Sequence, residues 1–191
     1  MKYQVQSGWL SGVRRVPSPH CNSRPDDAEV DLLVIHCISL PPGQYGGAYI
    51  DEFFLGHLDI DAHPYFSEIA TLQVSAHFLI DRNGRVTQYV PLNQRAWHAG
   101  QSTFCGRENC NDFSIGIELE GLDTDTYTPA QYQSLAEVTR AITEAYPAID
   151  RSRITGHSDI APGRKLDPGP GFDWDLYFKK LDQVQGDVPE G

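Results

Sequence analysis

The run from Asp31 to Leu40, DLLVIHCISL, constrains the fold more than any other stretch of the chain. From Leu32 to Ile38 it is almost continuously apolar and β-branched, and Ser39, Pro41 and Pro42 close it. Such a run, bounded by turn residues, reads as a buried central strand. A second strand is predicted in NDFSIGIELEG, Asn111 to Gly121, where Ile115, Ile117 and Leu119 alternate with Gly116, Glu118 and Glu120. VSAHFLIDRNGRVTQYV reads as a hairpin turning at Asn83 and Gly84. Strands at about 32–38, 74–80, 85–90 and 113–120 alternate with helices. One helix covers about Ala48 to Leu55, one follows Thr128, and one runs from Asp173 or Trp174 to about Leu181. Thr128, Pro129 and Gln131 spell an N-cap, a first-turn proline and a capping box. Behind them Tyr132, Leu135, Ala136, Val138, Ile142 and Ala145 form a core-facing stripe. The predicted architecture is α/β: a single domain with a mixed central β-sheet flanked by helices on both faces. The domain is expected over residues 1–184, with a loose tail at 185–191.

GHSDIAPGRKLDPGPGFDW, Gly156 to Trp174, packs charged and ligating side chains between glycines and prolines that forbid a continuous helix. The chain turns between His157 and Asp167 and can bring both side chains to one point. Catalytic zinc takes three protein ligands of this type and leaves a fourth position for water, so a third donor is needed. His36 is the best candidate. Alone it would read as a hydrogen-bonded core histidine, but a strand end facing a ligand-bearing loop is where open α/β sheets place their sites. Lys165, two residues before Asp167, emerges near the metal without ligating it, and its charge suits an oxyanion. Arg164 reads as a solvated neighbour.

Either Glu118 or Glu120 alone would pass for a surface carboxylate. Gly116 beside them favours Glu118, because a residue without a side chain leaves room for a ligand approaching it. A carboxylate near a zinc-bound water can take its proton.

Three loops, SLPPGQYGGAY, GHLDIDAHPYF and HAGQSTFCGRENCND, are long for so small a domain and are expected to wall a cleft. Trp97 and His98, which lead into the last of them, are counted as substrate contacts, Trp97 through a flat apolar face that equally suits ordinary burial. His77 reads as structural or as backing the site, and His57 and His63 as solvated loop histidines. A net charge of -11 argues against nucleic acid or an anionic membrane as partner. A ligand bearing carboxylates then needs local cations, for which Arg107, Arg164 and Lys165 are candidates. MKYQVQSGWL lacks the apolar region of a signal peptide and no run is long enough to span a membrane, so a cytoplasmic location is expected. Cys21, Cys37, Cys105 and Cys110 show no C-x-x-C spacing and are expected to be reduced.

His36 at a strand end, the Glu118 strand, RAWHAG from Arg95 to Gly100, and GHSDIAPGRKLDPG together resemble the type-2 N-acetylmuramoyl-L-alanine amidases, which are related to peptidoglycan recognition proteins. The match is best to the cytoplasmic, AmpD-type branch, which acts on anhydro-muropeptides, and spans Trp9 to about Phe178. The resemblance implies zinc held by His36, His157 and Asp167, Glu118 as general base, Lys165 on the carbonyl oxygen, and a role in cell-wall recycling. Cys37 stands where that branch commonly has asparagine, and Gln73 where it commonly has arginine. Both positions are implied substrate contacts, so the departures bear on which muropeptide is accepted. A monomer is expected. The alternative is a non-catalytic peptidoglycan-binding module of the same fold, against which the intact ligand set, Glu118 and Lys165 all speak.

Overall fold

The computed structural model describes residues 3–186. Six strands, Arg14–Arg15 (β1), Leu32–Ile38 (β2), Phe78–Ile80 (β3), Val86–Gln88 (β4), Ser114–Glu120 (β5) and Ile154–Gly156 (β6), form one sheet in the order β6-β2-β5-β3-β4-β1. The first four run parallel, β4 returns antiparallel to β3, and β1 is parallel to β4, so the sheet is mixed as expected. The helices are Tyr49–Leu55 (α1), Phe66–Ile69 (α2), Pro129–Ala145 (α3), His157–Ile160 (α4) and Trp174–Gly186 (α5).

Strand parity decides what each sheet face covers. Leu33 and Ile35 of β2 join Ile115, Ile117 and Leu119 of β5 in the main core, beneath Tyr132, Leu135 and Ile142 of α3 and Tyr177 and Leu181 of α5. The opposite face is covered in two patches. Ile50, Phe53 and Phe54 of α1 and Phe66 and Ile69 of α2 pack on Leu79 and Tyr89. Leu32 and Val34 pack under Ala99, Phe113 and Ile160 of α4. This second face also carries His36 and Glu118, which stand side by side in the β2–β5 register.

The capping box at α3 forms as spelled: Thr128 Oγ1 accepts from Gln131 N at 3.1 Å and Gln131 Oε1 from Thr128 N at 3.0 Å. Ala145, expected on the buried stripe, is exposed. The strand expected at 74–80 is regular only from Phe78, and upstream of it Ser75 N donates to Trp97 O, outside the sheet. α5 runs past Leu181 to Gly186, since Val184 still packs on the core and its carbonyl accepts from Arg140. Gln185 and Gly186 of the expected tail are therefore helical, and residues 187–191 lie outside the described residues. No helix among the described residues is long and apolar enough to cross a membrane. All four cysteines are free thiols.

Candidate metal centre and active site

Three elements deliver the donors. His36 lies near the C-terminal end of β2, His157 opens α4 directly after β6, and Asp167 follows in the loop beyond α4. That loop folds back because Ser158 N donates to the Asp167 carbonyl at 2.9 Å. It approaches closely only because residue 156 is glycine: a Cβ there would lie 2.8 Å from Pro168 Cδ.

His36 Nδ1, His157 Nδ1 and Asp167 Oδ2 stand 3.0 Å apart in every pairing. Protons cannot satisfy that triangle. Two imidazole N–H groups could both donate to the carboxylate, but the two nitrogens would then press donor against donor. A cation among the three satisfies all of them, and a site of two imidazoles and a carboxylate, with bonds of about 2.0–2.2 Å, is what zinc takes. Among the described residues this is the only cluster of donors able to hold a metal ion. His157 Nε2 faces the Ala99 carbonyl at 3.0 Å, which places the proton on Nε2 and turns the Nδ1 lone pair to the centre. Burial pushes His36 down to about 4, keeping it neutral. Burial would raise Asp167, but the His157 and His36 rings against its carboxylate hold it well below the usual range.

Glu118 borders the triangle on the same sheet face. Its Oε2 is buried and has no partner among the described residues. Burial, then the charge of Asp167, pushes its pKa well above the usual carboxylate value, while Lys165 pulls it back. Lys165 is exposed on the cleft wall, and neither a hydrogen bond nor an ion pair holds its ammonium among the described residues. The cleft has a volume of about 500 Å³. Trp97, Leu40, Tyr65, Lys165 and Asp167 are among the residues that line it.

The other candidates scatter. Trp97 lines the cleft with its Nε1 tied to Asn22 Oδ1 at 2.8 Å and its ring stacked on His20. Cys37 reaches the cleft edge, but its side chain packs against the main core, and burial pushes the thiol up to about 12. Gln73 is exposed and absent from the cleft lining, although Leu72 and Val74 on either side belong to it. Arg107 is a correction: its guanidinium pairs with Asp31 at 2.7 Å and covers the Phe113 ring, away from the cleft. Arg164, the other candidate cation, does line the cleft, while its Nη2 donates to Ala99 O at 2.7 Å and Gln101 O at 2.6 Å and so fastens the two loops together.

The space above Gly116 is a second correction. A Cβ there would meet the His98 ring at 2.6 Å, so the glycine admits an imidazole rather than a ligand. His98 lies against His36, with Nδ1 2.8 Å from His36 Nε2, and burial pushes its pKa well down. Glu120 was also missed. It is 3% exposed and accepts from Gly46 N at 2.6 Å and Arg82 N at 3.0 Å, pinning a cleft loop to the hairpin.

Residues 26–170 match the model of the N-acetylmuramoyl-L-alanine amidase family, Amidase_2. The chain is 63% identical over 170 residues to the 1,6-anhydro-N-acetylmuramyl-L-alanine amidase AmpD of Escherichia coli, covering 89% of this chain and 92% of that one. A crystal structure of a selenomethionine AmpD derivative superposes with a TM-score of 0.90 at 59% identity, over 93% of this chain and 98% of that one. AmiD of Escherichia coli, in complex with the substrate anhydro-N-acetylmuramic acid-L-Ala-D-γ-Glu-L-Lys, matches at a TM-score of 0.58 and 30% identity, over 94% of this chain and 65% of that one.

Proposed function

We propose, from the premise that this chain belongs to the N-acetylmuramoyl-L-alanine amidase family, that it hydrolyses the amide between the lactyl group of anhydro-N-acetylmuramic acid and the L-alanine of a muropeptide, in peptidoglycan recycling. The observation that carries the reading is the unpartnered, buried Glu118 oxygen beside three converged metal donors. A structural carboxylate at such a position would be hydrogen-bonded, as Glu120 is.

His36, His157 and Asp167 would hold zinc, which supplies Lewis acidity and a water acidic enough to be used near neutral pH. Glu118, whose buried Oε2 is left free to accept, takes the proton of the attacking water as oxygen bonds to the amide carbon. It then gives that proton to the alanine nitrogen as the C–N bond breaks, so water is divided between the lactyl carboxyl and the amine. Lys165, free on the cleft wall, meets the negative charge that develops on the carbonyl oxygen. Trp97 offers the sugar an apolar face held rigid by Asn22 and His20.

Mass spectrometry of an anhydro-muropeptide incubated with the zinc-loaded protein tests the reading. Anhydro-N-acetylmuramic acid and the free stem peptide are the expected products. Recovery of intact muropeptide after saturable binding would favour the binding-module alternative.

A further inference from the structure

The segment from Trp97 to Gly100 backs both metal histidines. The Ala99 carbonyl accepts from His157, and His98 contacts His36. We infer that His98 sets the tautomer and ring orientation of His36 and is thus a positioning residue of the metal centre; the inference rests on the zinc reading above.

A His36 whose Nδ1 lone pair faces a metal carries its proton on Nε2 and needs an acceptor for it. The atom in place is His98 Nδ1, at 2.8 Å. Accepting there puts the His98 proton on Nε2, where Ser114 Oγ lies at 3.2 Å to receive it. The chain of contacts is directional: Ser114 accepts from His98, His98 accepts from His36, and His36 is left with a free lone pair toward His157 and Asp167. The opposite tautomer of His98 would set two N–H groups against each other or protonate the metal-facing nitrogen of His36.

The surroundings hold His98 in that one place. Asn111 Oδ1 accepts from the backbone of both His98 and Ala99, at 3.0 and 2.8 Å. Gly116 leaves the ring its room, and the His77 ring meets its edge at a centroid distance of 5.8 Å. His77 is itself fixed, accepting from Gly116 N through Nδ1 at 3.1 Å with Nε2 on Gln94 O at 3.1 Å. Ligand-backing partners of this kind commonly change metal affinity when removed, which gives the test its scale.

Zinc affinity by chelator competition, measured on wild type, His98→Phe and His98→Asn, tests the inference. His98→Phe fills the space without an acceptor and should weaken zinc by about 10- to 100-fold, whereas His98→Asn, whose amide oxygen can replace Nδ1, should stay within about threefold of wild type. Long-range proton–nitrogen NMR of the zinc-loaded wild type should show His98 as the Nε2–H tautomer, a readout that does not depend on any variant folding. His98→Phe binding zinc as tightly as wild type, His98→Asn binding as weakly as His98→Phe, or His98 protonated on Nδ1 would each overturn it. A wild type that takes up no zinc would overturn the metal reading together with this inference.

Discussion

At the scale of single residues, the site divides side chains by whether the fold leaves them a partner. Lys165 has none among the described residues and Glu118 keeps one buried oxygen free, whereas Arg107, Arg164 and Glu120 are each bound to other parts of the chain. If the Lys165 charge acts on the transition state, Lys165→Ala should lower kcat by about 100- to 1,000-fold and change KM only a few-fold. Steady-state kinetics on one anhydro-muropeptide checks this, and near-normal turnover with poor affinity would make the lysine a binding residue. Glu120→Ala strands the Gly46 and Arg82 N–H groups, so it should destabilise the protein by about 2 kcal/mol while zinc content stays unchanged. Chemical denaturation paired with elemental analysis reads both. The donors were legible in sequence because His36, His157 and Asp167 announce themselves by type and by the strand and loop that carry them. The partners of Arg107 and Glu120 were not, since Asp31 and Gly46 lie 76 and 74 positions away and nothing local marks them.

At the scale of elements, the strands and helices whose patterns are local were readable and the packing that joins them was not. The capping box at Thr128 and the alternation of β5 need only neighbouring residues, and both appear as expected. The 74–77 stretch leads straight into a strand, yet Ser75 N turns to Trp97 O outside the sheet, which no periodicity can report. Gly116 shows the same limit: the sequence indicates that something comes close, and only the fold reveals that it is His98. Gly156 joins β6 to the Asp167–Pro168 loop in the same way. Gly156→Ala should push that loop outward, cost about 1–3 kcal/mol and weaken zinc binding. Thermal unfolding with a chelator titration measures it, and wild-type affinity would show that the loop adapts freely.

At the scale of the molecule, one sheet face carries the main core, and the other carries, beside two smaller apolar patches, a cluster of imidazoles around Asp167 and Glu118. In the metal-free protein burial holds His36 near 4, His77 near 3 and His98 well below 6.5, so all three stay neutral in the fold where an unfolded chain would protonate them. Unfolding therefore takes up protons as pH falls below about 6.5, and stability is lost in that direction. Glu118 opposes this: its raised pKa makes the fold bind a proton that the unfolded chain releases above 4.5. Three histidines against one carboxyl leave net uptake, so the melting temperature should fall as pH is lowered from about 7 to about 5. A flat or rising profile in calorimetry would contradict it.

The central claim is that three donors hold the metal and a fourth residue, Glu118, moves the proton. The most direct measurement is zinc content and amidase turnover determined together on wild type, His157→Ala and Glu118→Ala. Wild type should carry one zinc per chain and be active, and His157→Ala should lose both properties. Glu118→Ala should retain its zinc and lose about 100- to 10,000-fold in turnover. A Glu118→Ala protein that stays active, or a His157→Ala protein that keeps stoichiometric zinc, would contradict the account.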